Sequence, residues 1–146
     1  MSLEKWAENG WLKTAEPDGG DIESLLSVAV RNIRDSRVKG LSDDSVFMLA
    51  YQAILSCACA LLLTKGFRPA SKGQHYYSIE SLRETLGNDE QVDVLQQIRN
   101  KRNIIQYEQA GIVSPSEALR ILELTDEIFT STKEILRSHI KPDAGE

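Results

Sequence analysis

The sequence predicts an all-α protein, an antiparallel bundle of four to five main helices with a short helical arm at the N-terminus. Apolar residues recur with the helical period over several long segments, and strong helix-start signals precede most of these segments. The sequence shows neither a convincing alternation of apolar and polar residues nor an internal repeat. We therefore expect one helical domain over residues 1–146.

Residues 1–19 are expected to form an arm that packs across the bundle, with Trp6 and Trp11 as its apolar anchors. Asp21 or a neighbour then caps a helix that continues to near Lys39. The apolar positions of this helix follow the helical period and are Ile22, Leu25, Leu26, Ala29 and Ile33.

The most apolar helix is expected to begin at Ser42 and to end near Lys65. Ser42 supplies a capping hydroxyl, two acidic residues follow in the first turn, and Pro69 blocks any continuation. This helix is apolar over much of its circumference, as is typical of a central helix buried on several sides. Its expected core positions are Phe47, Ala50, Ala53, Ile54, Cys57, Ala58, Leu61 and Leu62.

Three further helices are predicted over residues 75–86, 88–111 and 114–140. The second opens with a capping box, and the third combines a cap serine, a proline and a glutamate in the expected order. Residues 141–146 are expected to form a flexible tail. The inner face of the last helix is expected to carry Ala118, Ile121, Leu122, Thr125, Ile128, Phe129 and Ile135.

The composition argues against several classes of function. The net charge of −5 disfavours bulk attraction to nucleic acid or an anionic membrane, so contact with nucleic acid needs a local basic patch. Cys57 and Cys59 point to different faces of a helix, and the chain has no third cysteine for a metal site. The longest apolar run, residues 58–63, is too short to span a bilayer. We expect a cytoplasmic protein with no metal, cofactor or membrane partner.

Polar side chains interrupt the apolar stripe of the helix over residues 88–111. On a helical wheel centred on Leu95, three of them lie within about 40° of the centre of the stripe, and two more flank it. A buried guanidinium is costly unless it is paired or hydrogen-bonded. These side chains therefore line a polar cleft, meet a partner, or form an interhelical ion-pair network. The five residues are Arg99, Arg102 and Gln106, flanked by Asn103 and Tyr107.

Several segments, taken in order, resemble one known family. They are a Tyr51-x-Ala53 helix, a Gly66-Phe67-Arg68 turn, His75 after that turn, an Arg102-Asn103 helix, and a last helix opened by Ser114-x-x-Glu117-Ala118. This order resembles the HEPN domains, which are small helical bundles often found as dimers in prokaryotic toxin–antitoxin and defence loci.

In catalytic HEPN members, an arginine is followed after four to six residues by a histidine, and the pair cleaves RNA without a metal at a dimer cleft. Arginine stabilises the charge that develops on the phosphate, and histidine moves a proton. Gln106 occupies the position expected for that histidine, and glutamine is neither an acid nor a base near neutral pH. The resemblance therefore implies weak or absent cleavage, with Arg102 and His75 as the catalytic candidates.

Tyr107 also has a candidate role by resemblance. HEPN members paired with a minimal nucleotidyltransferase can have a tyrosine just after the motif modified with AMP, and Tyr107 follows Gln106 directly. The alternative is a tyrosine whose ring packs and whose hydroxyl is exposed.

Three interpretations remain open from the sequence. The first is a homodimeric binding module with a cleft for RNA, a nucleotide or a nucleotidyltransferase partner, and the second is an active metal-independent endoribonuclease that uses His75. The third is a structural dimer in which the arginines form an ion-pair network. Its acidic partners would be found among Asp21, Glu23, Asp43 and Asp44.

Overall fold

Four long helices dominate residues 2–137 and confirm the predicted all-α bundle. The computed structural model describes residues 2–137, so the expected helix end at 140 and the tail over 141–146 lie outside the described residues. The elements in chain order are α1 (Leu3–Glu8), β1 (Leu12–Thr14), α2 (Gly19–Ser36), α3 (Asp43–Thr64), β2 (Phe67–Pro69), α4 (Gln74–Glu80), α5 (Leu82–Thr85), α6 (Asp89–Tyr107) and α7 (Pro115–Leu136).

Helix α3 forms the centre of the bundle. It packs most extensively against α2 and α7, and it also contacts α4, α5 and α6. All eight of its predicted core positions are buried, and the small residues among them let neighbouring helices approach closely. Helix α3 is long and apolar enough to cross a membrane, but most of it is buried inside the bundle, as in a core helix. On α7 the inward position predicted for Ile135 is wrong, because Ile135 is exposed and Leu136 is buried in its place.

Helix starts follow their capping signals closely. Asn88 caps α6, because its side-chain oxygen accepts a backbone hydrogen bond at 3.0 Å. Ser114 caps α7 in a complete capping box, in which Glu117 accepts from the Ser114 N–H at 2.9 Å. Helix α2 begins slightly earlier than predicted, since Asp18 rather than Asp21 is its cap.

Helix ends differ more from the predictions. Helix α2 ends at Ser36, before the predicted end near Lys39, and α6 ends at Tyr107, before the predicted end at residue 111. The four residues after α6 are all exposed, so burial does not stabilise a longer helix there. The single helix predicted over 75–86 is divided into α4 and α5 at Ser81, whose hydroxyl donates to the Ser78 carbonyl at 2.6 Å.

A two-stranded sheet, which the sequence pattern did not indicate, joins the N-terminal arm to the bundle. Strands β1 and β2 are antiparallel, with Leu12 opposite Pro69 and Thr14 opposite Phe67. Leu12 and Phe67 are buried with Trp6 in a second, smaller core. The expectation of a purely helical arm is therefore wrong, and three-residue strands are too short for an alternating pattern to reveal them.

Candidate functional site

The polar side chains of α6 line an open cleft at the start of α4. The cleft has a volume of about 420 Å³. It brings together most of the residues that the sequence predicted for a binding or catalytic site. Its lining consists of Ser71, Gly73, Gln74, His75, Tyr76, Arg99, Arg102, Asn103 and Tyr107.

Two packing helices direct these side chains into one cleft. On α6, Arg99 lies one turn beyond the buried Leu95, so it continues the face that packs toward the bundle. On α4, His75 lies one turn before the buried Ile79, so it faces α3. The loop before α4 closes tightly at Gly73, whose φ of +71° suits glycine and where a Cβ would lie only 3.0 Å from a neighbouring ring.

Gln106 does not join the cleft, although the helical wheel placed it inside the stripe. The last turn of α6 packs against the core through Ile105, and Gln106 beside it is exposed. Tyr107 does reach the cleft lining, and 75% of its surface is exposed. Four to six residues after Arg102 the motif spacing leads to residues 107–109, which are tyrosine, glutamate and glutamine, so this count also finds no histidine.

Both cleft arginines lie over aromatic rings. The Cζ atom of Arg99 is 5.3 Å from the ring centroid of Tyr76, and that of Arg102 is 5.8 Å from the ring centroid of Tyr51. Both arginines are half-buried. Such cation–π contacts stabilise a guanidinium without neutralising its charge.

Hydrogen bonds from the two arginines also go to neutral groups. Arg99 Nε donates to Gln96 Oε1 at 2.7 Å, and Arg102 Nη1 donates to Asn103 Oδ1 at 3.2 Å. Within residues 2–137, no carboxylate lies within 4 Å of either guanidinium. The alternative of an ion-pair network between these arginines and the four candidate acids is therefore wrong. Asp44, for example, accepts a hydrogen bond from a backbone N–H in the loop after α6 at 2.6 Å.

Gln96 positions Arg99 and was missed by the sequence reasoning. Its Nε2 donates to the Tyr76 carbonyl at 3.2 Å and to Glu80 Oε2 at 2.9 Å, while its Oε1 holds Arg99. The side chain thus connects α6 to α4 across one wall of the cleft. Its spacing of three residues before Arg99 was the available signal, since such pairs meet on a helix surface.

His75 contacts a buried tyrosine that the sequence reasoning had treated as part of a family pattern. His75 Nδ1 lies 3.3 Å from the Tyr51 hydroxyl. Burial, followed by the positive charges of Arg102 and Arg99, lowers the pKa of His75. Burial raises the pKa of Tyr51 to about 12, against a smaller opposing effect of the two arginines. At neutral pH the cleft therefore holds a neutral imidazole, which is a proton acceptor, beside a neutral phenol.

The two cysteines do not line this cleft. Both are free thiols, with Cys57 buried and Cys59 half-buried, and burial raises the pKa of Cys57 to about 12. Across residues 2–137, no three side chains of the His, Cys, Asp and Glu types are grouped so that they could hold a metal ion. The chemistry available in the cleft is that of guanidinium, imidazole, amide and phenol groups.

Comparison with known families agrees with the earlier resemblance. The HEPN domain pattern matches residues 11–135, a range that contains every residue lining the cleft. No curated protein and no solved structure matches the chain significantly. HEPN domains commonly dimerise, and the match supports a nucleotide- or RNA-related module in general terms. The chain belongs to the HEPN domain family.

Proposed function

We propose that this HEPN chain binds RNA or a nucleotide through a phosphate group held by Arg99 and Arg102. The observation that carries the proposal is that two half-buried guanidinium groups line one cleft while no carboxylate of residues 2–137 lies within 4 Å of them. Guanidinium donors match phosphate oxygens in geometry and charge. Asn103 and His75 add neutral polar groups suited to a ribose hydroxyl or a base edge.

Because the whole chain is negatively charged, RNA binding should depend on the positive charge in this cleft. With a net charge of −5, the protein as a whole repels a polyanion, so RNA affinity depends on the local arginines. Affinity should fall as salt rises, because each neutralised phosphate releases counterions. A contact through two arginines corresponds to a small salt slope, of about −1.4 for single strands.

The first test measures binding of labelled single-stranded RNA by fluorescence anisotropy. Arg102→Ala is expected to weaken binding by about 10- to 100-fold, because hydrogen bonds to charged groups contribute about 1.5–3 kcal/mol. Arg31→Ala is the matched control, since it removes the same charge from an exposed position on α2. An equal loss of affinity in both variants would show that general charge, and not the cleft, binds the RNA.

A second candidate function is metal-independent RNA cleavage, favoured by the contact between His75 and Tyr51. If the Nδ1 proton of His75 is donated to the tyrosine hydroxyl, Nε2 is left free to accept the proton of a ribose 2′-hydroxyl. The 2′-oxygen then attacks the adjacent phosphorus, and the bond to the 5′-oxygen breaks as the protonated His75 returns the proton to that oxygen. An arginine stabilises the charge that develops on the phosphate.

Incubation with RNA in the presence of EDTA tests this second candidate. Cleavage by the parent protein, its loss in His75→Gln, and retained RNA binding by that variant are the expected results. Cleavage that persists in His75→Gln would remove His75 from the chemistry. Absence of cleavage in the parent would leave binding alone.

We also propose that the chain works as a cytoplasmic homodimer in a toxin–antitoxin or nucleotidyltransferase-paired system. The dimerisation common to HEPN domains supports the first part, and two free thiols agree with a reducing compartment. Tyr107, exposed in the cleft lining, is accessible to a modifying nucleotidyltransferase. Light scattering should give twice the chain mass of 16.3 kDa, and a monomer at micromolar concentration would contradict the dimer.

A further inference from the structure

An aromatic groove lies next to the cleft, and the two share Tyr76 as a common wall. The groove has a volume of about 350 Å³. Its aromatic lining consists of Trp6, Trp11, Tyr76 and Tyr77.

The rings of this groove form a continuous series that ends at a cleft arginine. Trp11 stacks on Tyr77 with 5.0 Å between ring centroids and 12° between planes. Tyr77 meets Tyr76 edge-on at 5.0 Å, and Arg99 lies over the Tyr76 ring at 5.3 Å. Tyr76 is 40% exposed. A ligand that occupies the groove therefore adjoins a ligand bound at the cleft arginines.

The groove and the cleft differ in charge. The cation in the groove, Arg83, is paired, since it donates to Glu80 at 3.0 Å and to Asp93 at 2.7 Å. Glu84, also in the lining, is exposed. An anionic phosphate is therefore repelled from the groove and attracted to the cleft. An uncharged base suits the groove, because it can stack on the rings and donate N–H groups to a carboxylate.

We infer that the groove binds the base of a single-stranded RNA nucleotide whose phosphate lies at Arg99 and Arg102. This inference rests on the proposed function and names its ligand more closely. A base within a duplex is paired and stacked, and so is not free to enter the groove. The protein should therefore prefer single-stranded RNA to duplex RNA of the same sequence.

Intrinsic fluorescence reports on this groove directly, because Trp6 and Trp11 are the two tryptophans of the chain and both line it. Three probes are compared: a short single-stranded RNA, its duplex, and an abasic ribose-phosphate oligomer of equal length. Single-stranded RNA should change the fluorescence to saturation. The abasic oligomer should bind, as measured by competition, without that change. An equal fluorescence change with the abasic oligomer would overturn the inference.

A substitution in the groove separates base binding from phosphate binding. Trp11→Leu should weaken the binding of single-stranded RNA by about 5- to 150-fold, as is typical for the loss of one stacked base, and leave affinity for the abasic oligomer unchanged. Trp11→Phe should retain most of the RNA affinity, since it keeps an aromatic face. Equal loss for both ligands in Trp11→Leu would mean that Trp11 supports the fold only, and would overturn the inference.

The same measurements distinguish failure of the inference from failure of the proposed function. In one outcome, RNA binds and Arg102→Ala weakens this binding, but Trp11→Leu does not change RNA affinity and the base does not change the tryptophan fluorescence. The groove inference is then wrong, whereas phosphate binding by the cleft is supported. If the parent protein binds neither RNA nor the abasic oligomer, both fall together.

Discussion

Arg83 and the pair Arg99 and Arg102 lie in adjoining pockets but differ in what surrounds their charge. Arg83 is held by the carboxylates of Glu80 and Asp93, whose hydrogen bonds raise its pKa further above the ordinary value. Arg99 and Arg102 instead meet aromatic rings and amide oxygens. The comparison shows that Arg83 stabilises the packing of α5 against α6, whereas the charges of Arg99 and Arg102 are unpaired with carboxylates of residues 2–137 and keep donors that a ligand can use.

Removal of both cleft arginines should have the largest effect of any change considered. Arg99→Ala with Arg102→Ala is expected to lower RNA affinity by about 100-fold or more, since two charge-assisted contacts are lost. The salt slope should decrease in magnitude by about 1.4, because two phosphate contacts disappear. Anisotropy titrations at several salt concentrations measure both quantities. An unchanged slope would show that these guanidinium groups do not contact phosphate.

Substitution of Arg83 should give the opposite profile. Arg83→Ala removes the partner of three carboxylates, those of Glu80, Asp89 and Asp93, and should lower the free energy of unfolding by about 1–2 kcal/mol. Affinity for the abasic oligomer should change by no more than about twofold, because this charge is already neutralised. Urea unfolding and anisotropy of the same samples test the contrast. If Arg83→Ala strongly lowers phosphate affinity without lowering stability, then Arg83 binds phosphate as the cleft arginines are proposed to do, and the distinction drawn here is wrong.

The sequence predicted the bundle more fully than the arm. Helix α3 is apolar on nearly all sides and carries clear start and stop signals, so its burial follows from composition alone. The pairing of β1 with β2 was not predicted, because it depends on residues more than fifty positions apart in a sheet of three-residue strands. The sequence predicted that α6 continues to residue 111, but the helix ends at Tyr107, and the four residues that follow are exposed.

The sequence predicted the site residues that share helix α6, but not the contacts that residues of other helices make with them. Helical periodicity placed Arg99 and Arg102 on one face of α6, and the structure places both in the cleft. The contacts that define their environment come from Tyr51 on α3 and Tyr76 on α4. Periodicity within one helix carries no information on which side chains of other helices approach it. For the same reason, neither the solvent exposure of Gln106 nor the ion pair of Arg83 with Asp93 could be foreseen.

Protonation of His75 should increase the positive charge of the cleft, because its charge then adds to that of the two arginines. Its pKa is lowered below the ordinary 6.5 by burial and then by the arginines, so it gains its charge at a lower pH than an ordinary histidine. Acidification from about pH 7 to below that pKa should tighten phosphate binding by about fivefold, and His75→Gln should lack this response. Anisotropy with the abasic oligomer at each pH provides the measurement. A response that survives in His75→Gln would assign it to another group.

The same lowered pKa predicts a change in stability with a defined sign. Between the folded pKa and 6.5 the unfolded chain binds more protons, so the free energy of unfolding falls as the pH drops through this interval. His75→Gln should remove this part of the pH dependence in urea unfolding. Bound phosphate should oppose the fall, because a nearby anion favours the charged imidazole.

Lys101 lies between the two cleft arginines in sequence but is paired with a carboxylate, as Arg83 is. The loss of this ion pair should have the smallest effect on stability of the changes considered. Lys101 Nζ forms an ion pair with Glu117 at the start of α7. The hydrogen bond from Lys101, followed by that from the Ser114 backbone, lowers the pKa of Glu117 to about 2. The stabilisation is thus complete above the ordinary value of 4.5 and is lost as the pH falls toward 2.

Glu117→Gln tests whether this pairing contributes more than a helix cap. Glutamine can still close the capping box but cannot form the ion pair, so the loss at neutral pH should be only about 0.5 kcal/mol for a side chain this exposed. The stability difference from the parent should vanish in acid, as Glu117 itself becomes neutral. Glu127→Gln, at an exposed position on the same helix, is the control. If Glu117→Gln strengthens binding of the abasic oligomer while Glu127→Gln does not, then the freed Lys101, and not the arginines alone, contributes to the phosphate site.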